Sequence, residues 1–146
     1  MRKTLFPLLL VPVLAGCGGK SEAEQETEAT TKSGRGTVTC EGSAMSGETG
    51  LPADFPRIGG ITFVTSVKSG PTQAADGYAN TPLKNLYEQY QAGMKNAGYT
   101  ILFNEREGDR DAEISYETKD ESSRGLLALR NCDADTTSVH ITNRPS

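Results

Sequence analysis

The pattern that most constrains the fold is an apolar stripe of helical spacing in the middle of the chain. Apolar side chains recur in steps of three and four residues, with charged and amide side chains between them. The members of the stripe are Leu83, Leu86, Tyr87, Tyr90, Met94 and Ala97. This spacing predicts one amphipathic helix, which is capped at its start by Thr81 and Pro82 and ends at Gly98. Such a helix must bury its stripe against a second layer.

The segments around this helix favour a sheet as the second layer. They are rich in β-branched and aromatic residues, and most of them alternate apolar with polar side chains. These predicted strands are residues 61–67, 99–104, 112–117, 125–130 and 139–141. We therefore predict an α+β domain, with one amphipathic helix packed on an antiparallel sheet of about five strands. The last strand, with Val139 and Ile141, is predicted to lie at an edge, and residues 69–80 to form a polar loop.

The chain before the first strand carries weaker patterns. Residues 37–40 are interpreted as a short strand and residues 41–50 as a glycine-rich loop. Two prolines in residues 51–56 favour an extended backbone. Leu51 and Phe55 are predicted to bind this extended segment to the core.

The first seventeen residues have the layout of a secretory signal. Arg2 and Lys3 precede an apolar run over residues 5–14, and the run ends in small residues followed by Cys17. Because a transmembrane helix needs about 20 apolar residues, this run is too short to span a bilayer. The pattern predicts export.

Leu14, Ala15, Gly16 and Cys17 resemble the lipobox of bacterial lipoproteins. The resemblance implies lipid transfer to the Cys17 thiol and cleavage before Cys17, so that the membrane contact is made through this lipid. It therefore predicts a signal peptide over residues 1–16, and a lipid-anchored protein of the cell membrane or outer membrane that faces outside the cytoplasm. Residues 17–36, rich in Glu, Thr, Ser and Ala, are predicted to be a disordered tether, and residues 37–146 a single domain.

Lipidation of Cys17 would leave two cysteines in an exported, disulfide-permissive compartment. We predict that Cys40 and Cys132 form a structural disulfide. The alternative is a redox or metal-binding pair, but the chain contains neither a Cys-x-x-Cys pattern nor more than one histidine.

Three short sequence segments of the predicted domain resemble segments of small envelope lipoproteins of bacteria. They are residues 51–56, residues 95–100 and residues 112–116, and in such proteins a helix ending in Ala-Gly-aromatic leads into a hairpin. The resemblance implies the architecture and no activity. The acidic balance of the chain, with 19 Asp and Glu against 15 Lys and Arg, gives no basic surface for nucleic acid.

Few residues have the pattern of a reactive site, and we predict no catalytic residue, no metal and no cofactor. His140 is expected to face solvent or an edge, and no sequence motif supplies it with a nucleophile. The carboxylates of residues 105–113 could offer oxygen ligands to calcium, but interleaved arginines favour a charged hairpin tip. Tyr78 is predicted to lie in a loop beside Asn80, and these two residues are the candidate ligand-binding residues.

These patterns favour a lipid-anchored lipoprotein whose domain binds a ligand or an envelope protein partner without catalysis. Two alternatives stay open: a small envelope hydrolase, and a structural subunit of an envelope complex. A structural subunit would expose an apolar patch beyond the surface that the helix buries.

Overall fold

The computed structural model describes residues 38–146, in which six strands and one helix form two layers. In chain order the elements are β1 (Ile61–Ser69), β2 (Thr72–Ala79), α1 (Leu83–Asn96), β3 (Thr100–Glu107), β4 (Asp111–Glu117), β5 (Ser123–Asn131) and β6 (Thr137–Pro145). The α+β class with one helix on an antiparallel sheet is confirmed. The predicted lipidation site Cys17, the signal peptide and the tether lie outside the described residues.

The six strands form one sheet in the order β1-β2-β6-β5-β4-β3, and every neighbouring pair is antiparallel. The prediction of about five strands is wrong because residues 69–80 are not a loop: they contain β2, which pairs with β1 on one side and β6 on the other. The predicted edge position of Val139 and Ile141 is wrong for the same reason, since β2 covers that side of β6. The edges are β1 and β3.

Helix α1 begins and ends by different means. Its N-cap residue is Pro82, no side chain caps it, and the Thr81 carbonyl accepts a hydrogen bond from the Thr137 hydroxyl. The predicted cap at Thr81 is therefore wrong. The predicted end at Gly98 is confirmed: its φ of 82° is left-handed, which glycine adopts readily, and the Tyr99 amide donates back to the Met94 carbonyl.

The core lies between α1 and one face of the sheet. The stripe residues from Leu83 to Met94 are buried there with the inward side chains of the four central strands. Leu51 and Phe55 are also buried, as predicted. The Phe55 ring lies 5.5 to 6.2 Å from the rings of three core tyrosines, which are Tyr90, Tyr99 and Tyr116.

Residues 38–45, which we call the strap, lie on the opposite face of the sheet. The Thr39 amide donates to the Ser138 hydroxyl of β6, the Gly42 carbonyl accepts from the Tyr78 hydroxyl of β2, and the Met45 amide donates to the Phe63 carbonyl of β1. The predicted strand at residues 37–40 is not found over residues 38–40. The predicted disulfide is confirmed, and it joins Cys40 of the strap to Cys132, just after β5.

Candidate binding face

The side of the sheet that faces away from α1 is not covered by the second layer, and we call it the open face. Successive residues of a strand point to opposite faces of the sheet. Because Ile114, Leu127 and Ile141 are in the helix-side core, the residues next to them in sequence lie on the open face. Cross-strand pairing then places Asp76, His140, Ala128 and Glu113 side by side across β2, β6, β5 and β4. The strap covers only one end of this face.

His140 lies near the centre of the open face and forms a close pair with Asp76. The expectation that His140 faces solvent or an edge is wrong, since its side chain is only 15% exposed and its strand is internal. Its Nδ1 lies 2.6 Å from the Asp76 Oδ1. Because a carboxylate can only accept, the Nδ1–H is the donor, which leaves Nε2 as the second polar atom of the ring. Sequence reasoning missed this pair because Asp76 falls in the segment predicted as a loop.

Two ion pairs extend the polar part of the open face over β4 and β5. Arg130 contacts Glu113 at 2.7 Å, with both side chains mostly buried, and Arg124 contacts Glu117 at 2.6 Å. Each arginine lies on β5 and each glutamate on β4. The charges on this part of the face therefore largely satisfy one another.

A row with apolar side chains at four of its six positions, which we call the apolar row, crosses the open face between these polar groups. Its members face one another in register across all six strands: Val67, Ala74, Thr142, Leu126, Ser115 and Phe103. The two ends of the row are large and exposed, since Val67 is 55% and Phe103 51% accessible. The adjacent Leu102, at the irregularity of β3, is exposed to a similar degree. The apolar row is the feature of the face that water solvates least well.

The two predicted ligand-binding residues take different positions. Tyr78 is part of β2 rather than of a loop, and its hydroxyl donates to the Gly42 carbonyl of the strap at 3.0 Å. Asn80 is exposed just after the end of β2. Tyr78 thus belongs to the strap-covered end of the open face.

The acidic segment is the hairpin between β3 and β4. Arg106 contacts Asp109 at 3.1 Å, and Arg110 forms an ion pair with Glu107. Within residues 38–146 there is no group of three or more His, Cys, Asp or Glu side chains with the geometry of a metal site. The arginines compensate the carboxylates of this hairpin.

A concavity of about 440 Å³ lies in the loop before β1. Residues 47–51 line it together with Ala53 and Arg57, and the Arg57 guanidinium lies 3.5 Å from the Thr49 hydroxyl. It contains neither of the two predicted binding residues.

Four of the five tyrosines are in the core, as their spacing predicted: Tyr87, Tyr90, Tyr99 and Tyr116. Burial raises the pKa of the phenols of Tyr90, Tyr99 and Tyr116 well above the usual value, because the phenolate loses its hydration. These tyrosines stabilise the helix-side layer and do not reach the open face.

No protein-family model matches the chain, and neither a curated protein nor a solved structure matches it. Among the helices of residues 38–146, none is long and apolar enough to cross a membrane. The side chains of the open face and the pattern of the leader are therefore the features that bear on function.

Proposed function

We propose that this chain is a lipid-anchored envelope lipoprotein whose domain binds a protein partner through the open face, without catalysis. Anchoring is supported by the apolar leader and by Leu14, Ala15 and Gly16 before Cys17. The Cys40–Cys132 disulfide is consistent with an exported domain, since disulfides persist in oxidising compartments.

The observation that carries the binding proposal is the exposed apolar row from Val67 to Phe103. An antiparallel sheet with one face on a helix ordinarily presents a polar second face to water. Here a row with Val67, Leu126 and Phe103 crosses that face, and ion pairs such as Arg130–Glu113 border it. Large apolar side chains with polar groups beside them are typical of a protein-binding surface.

Site-specific photo-crosslinking tests this proposal in native membranes. A photoreactive phenylalanine analogue in place of Phe103 reports on the open face, and the same analogue in place of Glu88, exposed on α1, is the matched control. We expect a discrete adduct from position 103 and none from position 88. Equal labelling at both positions, or no adduct at either, would overturn the proposal.

A second variant tests whether the apolar row contributes to the affinity. Phe103→Asp places a charge at the end of the row, where the side chain is half exposed and the fold should be preserved. With the crosslinker moved to Val67, we expect the adduct to weaken in this variant. An adduct of unchanged intensity would show that the partner does not use the row.

A small envelope hydrolase is the second candidate, and one observation favours it. Asp76 orients the His140 imidazole in the manner that a general base requires. Hydrolysis of envelope esters or amides by the purified full chain, abolished by His140→Gln in a folded variant, would replace the binding proposal. The third candidate, a structural subunit, is favoured by the same exposed side chains of Val67 and Phe103, and it differs in predicting constant stoichiometry with one envelope complex during purification.

A further inference from the structure

We infer that the strap is a redox-released cover over one end of the open face, held in place by the Cys40–Cys132 disulfide. The Tyr78 and Ser138 hydroxyls, which are cross-strand neighbours of β2 and β6, both engage the strap. Release of the strap would free these two hydroxyls for a bound partner. The inference rests on the proposed function in one respect, namely that the open face is the binding surface.

Within residues 38–146, the strap has few contacts apart from the disulfide. None of its residues belongs to the hydrophobic core, and Val38 at its start is 57% exposed. Three hydrogen bonds, through Thr39, Gly42 and Met45, hold its eight residues. Ordering eight residues has a large entropic cost, which three hydrogen bonds in contact with water do not offset. The disulfide therefore supplies the stabilisation of the bound strap that the noncovalent contacts lack.

The strap also makes one close packing contact, between the Gly42 backbone and the Val64 side chain. The Gly42 backbone passes so close to Val64 that a Cβ atom would lie 2.8 Å from a Val64 methyl carbon, and its φ of 141° is one that other residues rarely adopt. The close approach positions the strap accurately while it is bound. It buries little apolar surface, because glycine has no side chain.

The disulfide is accessible to a reductant. Cys40 and Cys132 are both only half-buried. A dithiol reductant can attack one sulfur to form a mixed disulfide, and its second thiol then releases the protein cysteine. Cys40 and Cys132 gain two electrons and two protons as thiols, and the reductant becomes a disulfide.

The core should survive this reaction. The helix-side core contains neither cysteine, and its side chains from Leu51 to Ile141 pack without any strap residue. Reduction should therefore open the strap locally rather than unfold the domain.

Amide hydrogen exchange of the full chain in detergent micelles tests the inference, with and without dithiothreitol and in the variant Cys40→Ser/Cys132→Ser. We expect exchange at the Thr39 and Met45 amides to accelerate about tenfold or more when the disulfide is absent, because one or two hydrogen bonds no longer persist. The core amides of Ile114 and Leu127 should stay protected because the reduced domain remains folded, although its lower free energy of unfolding speeds their exchange through global unfolding.

Two outcomes would overturn the inference. Protection of Thr39 and Met45 that survives reduction would show that the strap binds without the disulfide. Complete loss of protection at Ile114 and Leu127 would show that the disulfide holds the whole domain together. The control is Ser138→Ala in the oxidised protein, which removes the acceptor of the Thr39 amide and should leave Met45 protected. Because the measurement needs no partner, its failure leaves the crosslinking test of the binding face unaffected.

Discussion

Replacement of Phe55 by alanine should be among the most destabilising single substitutions in this domain. Phe55 is 2% exposed, and its ring contacts three tyrosine rings between the extended segment and the two layers. Removal of a buried phenylalanine side chain costs about 3–5 kcal/mol in lost transfer free energy and cavity formation. The upper half of this range applies here, since each tyrosine pair adds about 0.5–1.5 kcal/mol beyond area burial.

Urea unfolding of the oxidised full chain measures this free energy. The urea midpoint should fall while the m-value stays constant, and the melting temperature should fall by roughly 12–20 °C for a domain of this size. Phe103→Ala is the matched control, because it deletes the same side chain at a position that is 51% exposed. It should change the free energy of unfolding by less than about 1 kcal/mol.

Equal effects of the two substitutions would refute the reasoning. So would a loss below about 1 kcal/mol for Phe55→Ala, the size typical of a surface change. In either case the segment before β1 would not be part of the cooperative core.

Three further predictions concern the disulfide, the core tyrosines and the proposed lipid anchor. Cys132→Ser should lower the free energy of unfolding by up to about 4–5 kcal/mol, because the disulfide restricts the unfolded chain over a sequence separation of 92 residues. The melting temperature should fall accordingly, and an unchanged melting temperature would contradict a stabilising disulfide. The buried phenols of Tyr90, Tyr99 and Tyr116 have a raised pKa in the folded state. Their contribution to the free energy of unfolding is therefore complete below the unfolded pKa of about 10, and it is lost as the pH rises above that value. Urea midpoints measured between about pH 8 and pH 11 should therefore fall with pH, and a flat profile would contradict burial of the phenols. Cys17→Ala should move the protein from the membrane fraction to the soluble fraction, and continued membrane binding would show an affinity other than the proposed lipid.

The elements that were predicted correctly have strong local patterns. The stripe from Leu83 to Met94 specifies α1 because its period matches one helical face. Gly98 specifies the helix end because the backbone must adopt a left-handed conformation there, which glycine adopts readily. The disulfide partners were also predicted, since the lipobox resemblance assigned Cys17 to the lipid.

Strand β2 could not be predicted because its sequence has little preference for a strand. Its eight residues are mostly small or polar, and its strand conformation comes from pairing with β1 and β6 on both sides. Gly77 is needed within it, since a Cβ atom there would overlap the Thr62 carbonyl and lie 2.9 Å from the Phe63 Cα. These constraints are tertiary, and no window of the sequence contains them.

Because β2 was not predicted, the Asp76–His140 pair at the centre of the open face could not be predicted either. Within the sheet, the hairpin of β1 and β2 joins the meander of β3 to β6 through the pairing of β2 with β6, two strands that are distant in sequence. Asp76 and His140 bond in the middle of this seam. A shift of the seam by one residue would move Asp76 to the helix side, where it would meet the apolar core without its partner. The pair therefore favours the observed register of this β2–β6 pairing, together with the buried side chains of both strands, and with it the alignment of Val67 and Ala74 with the rest of the apolar row.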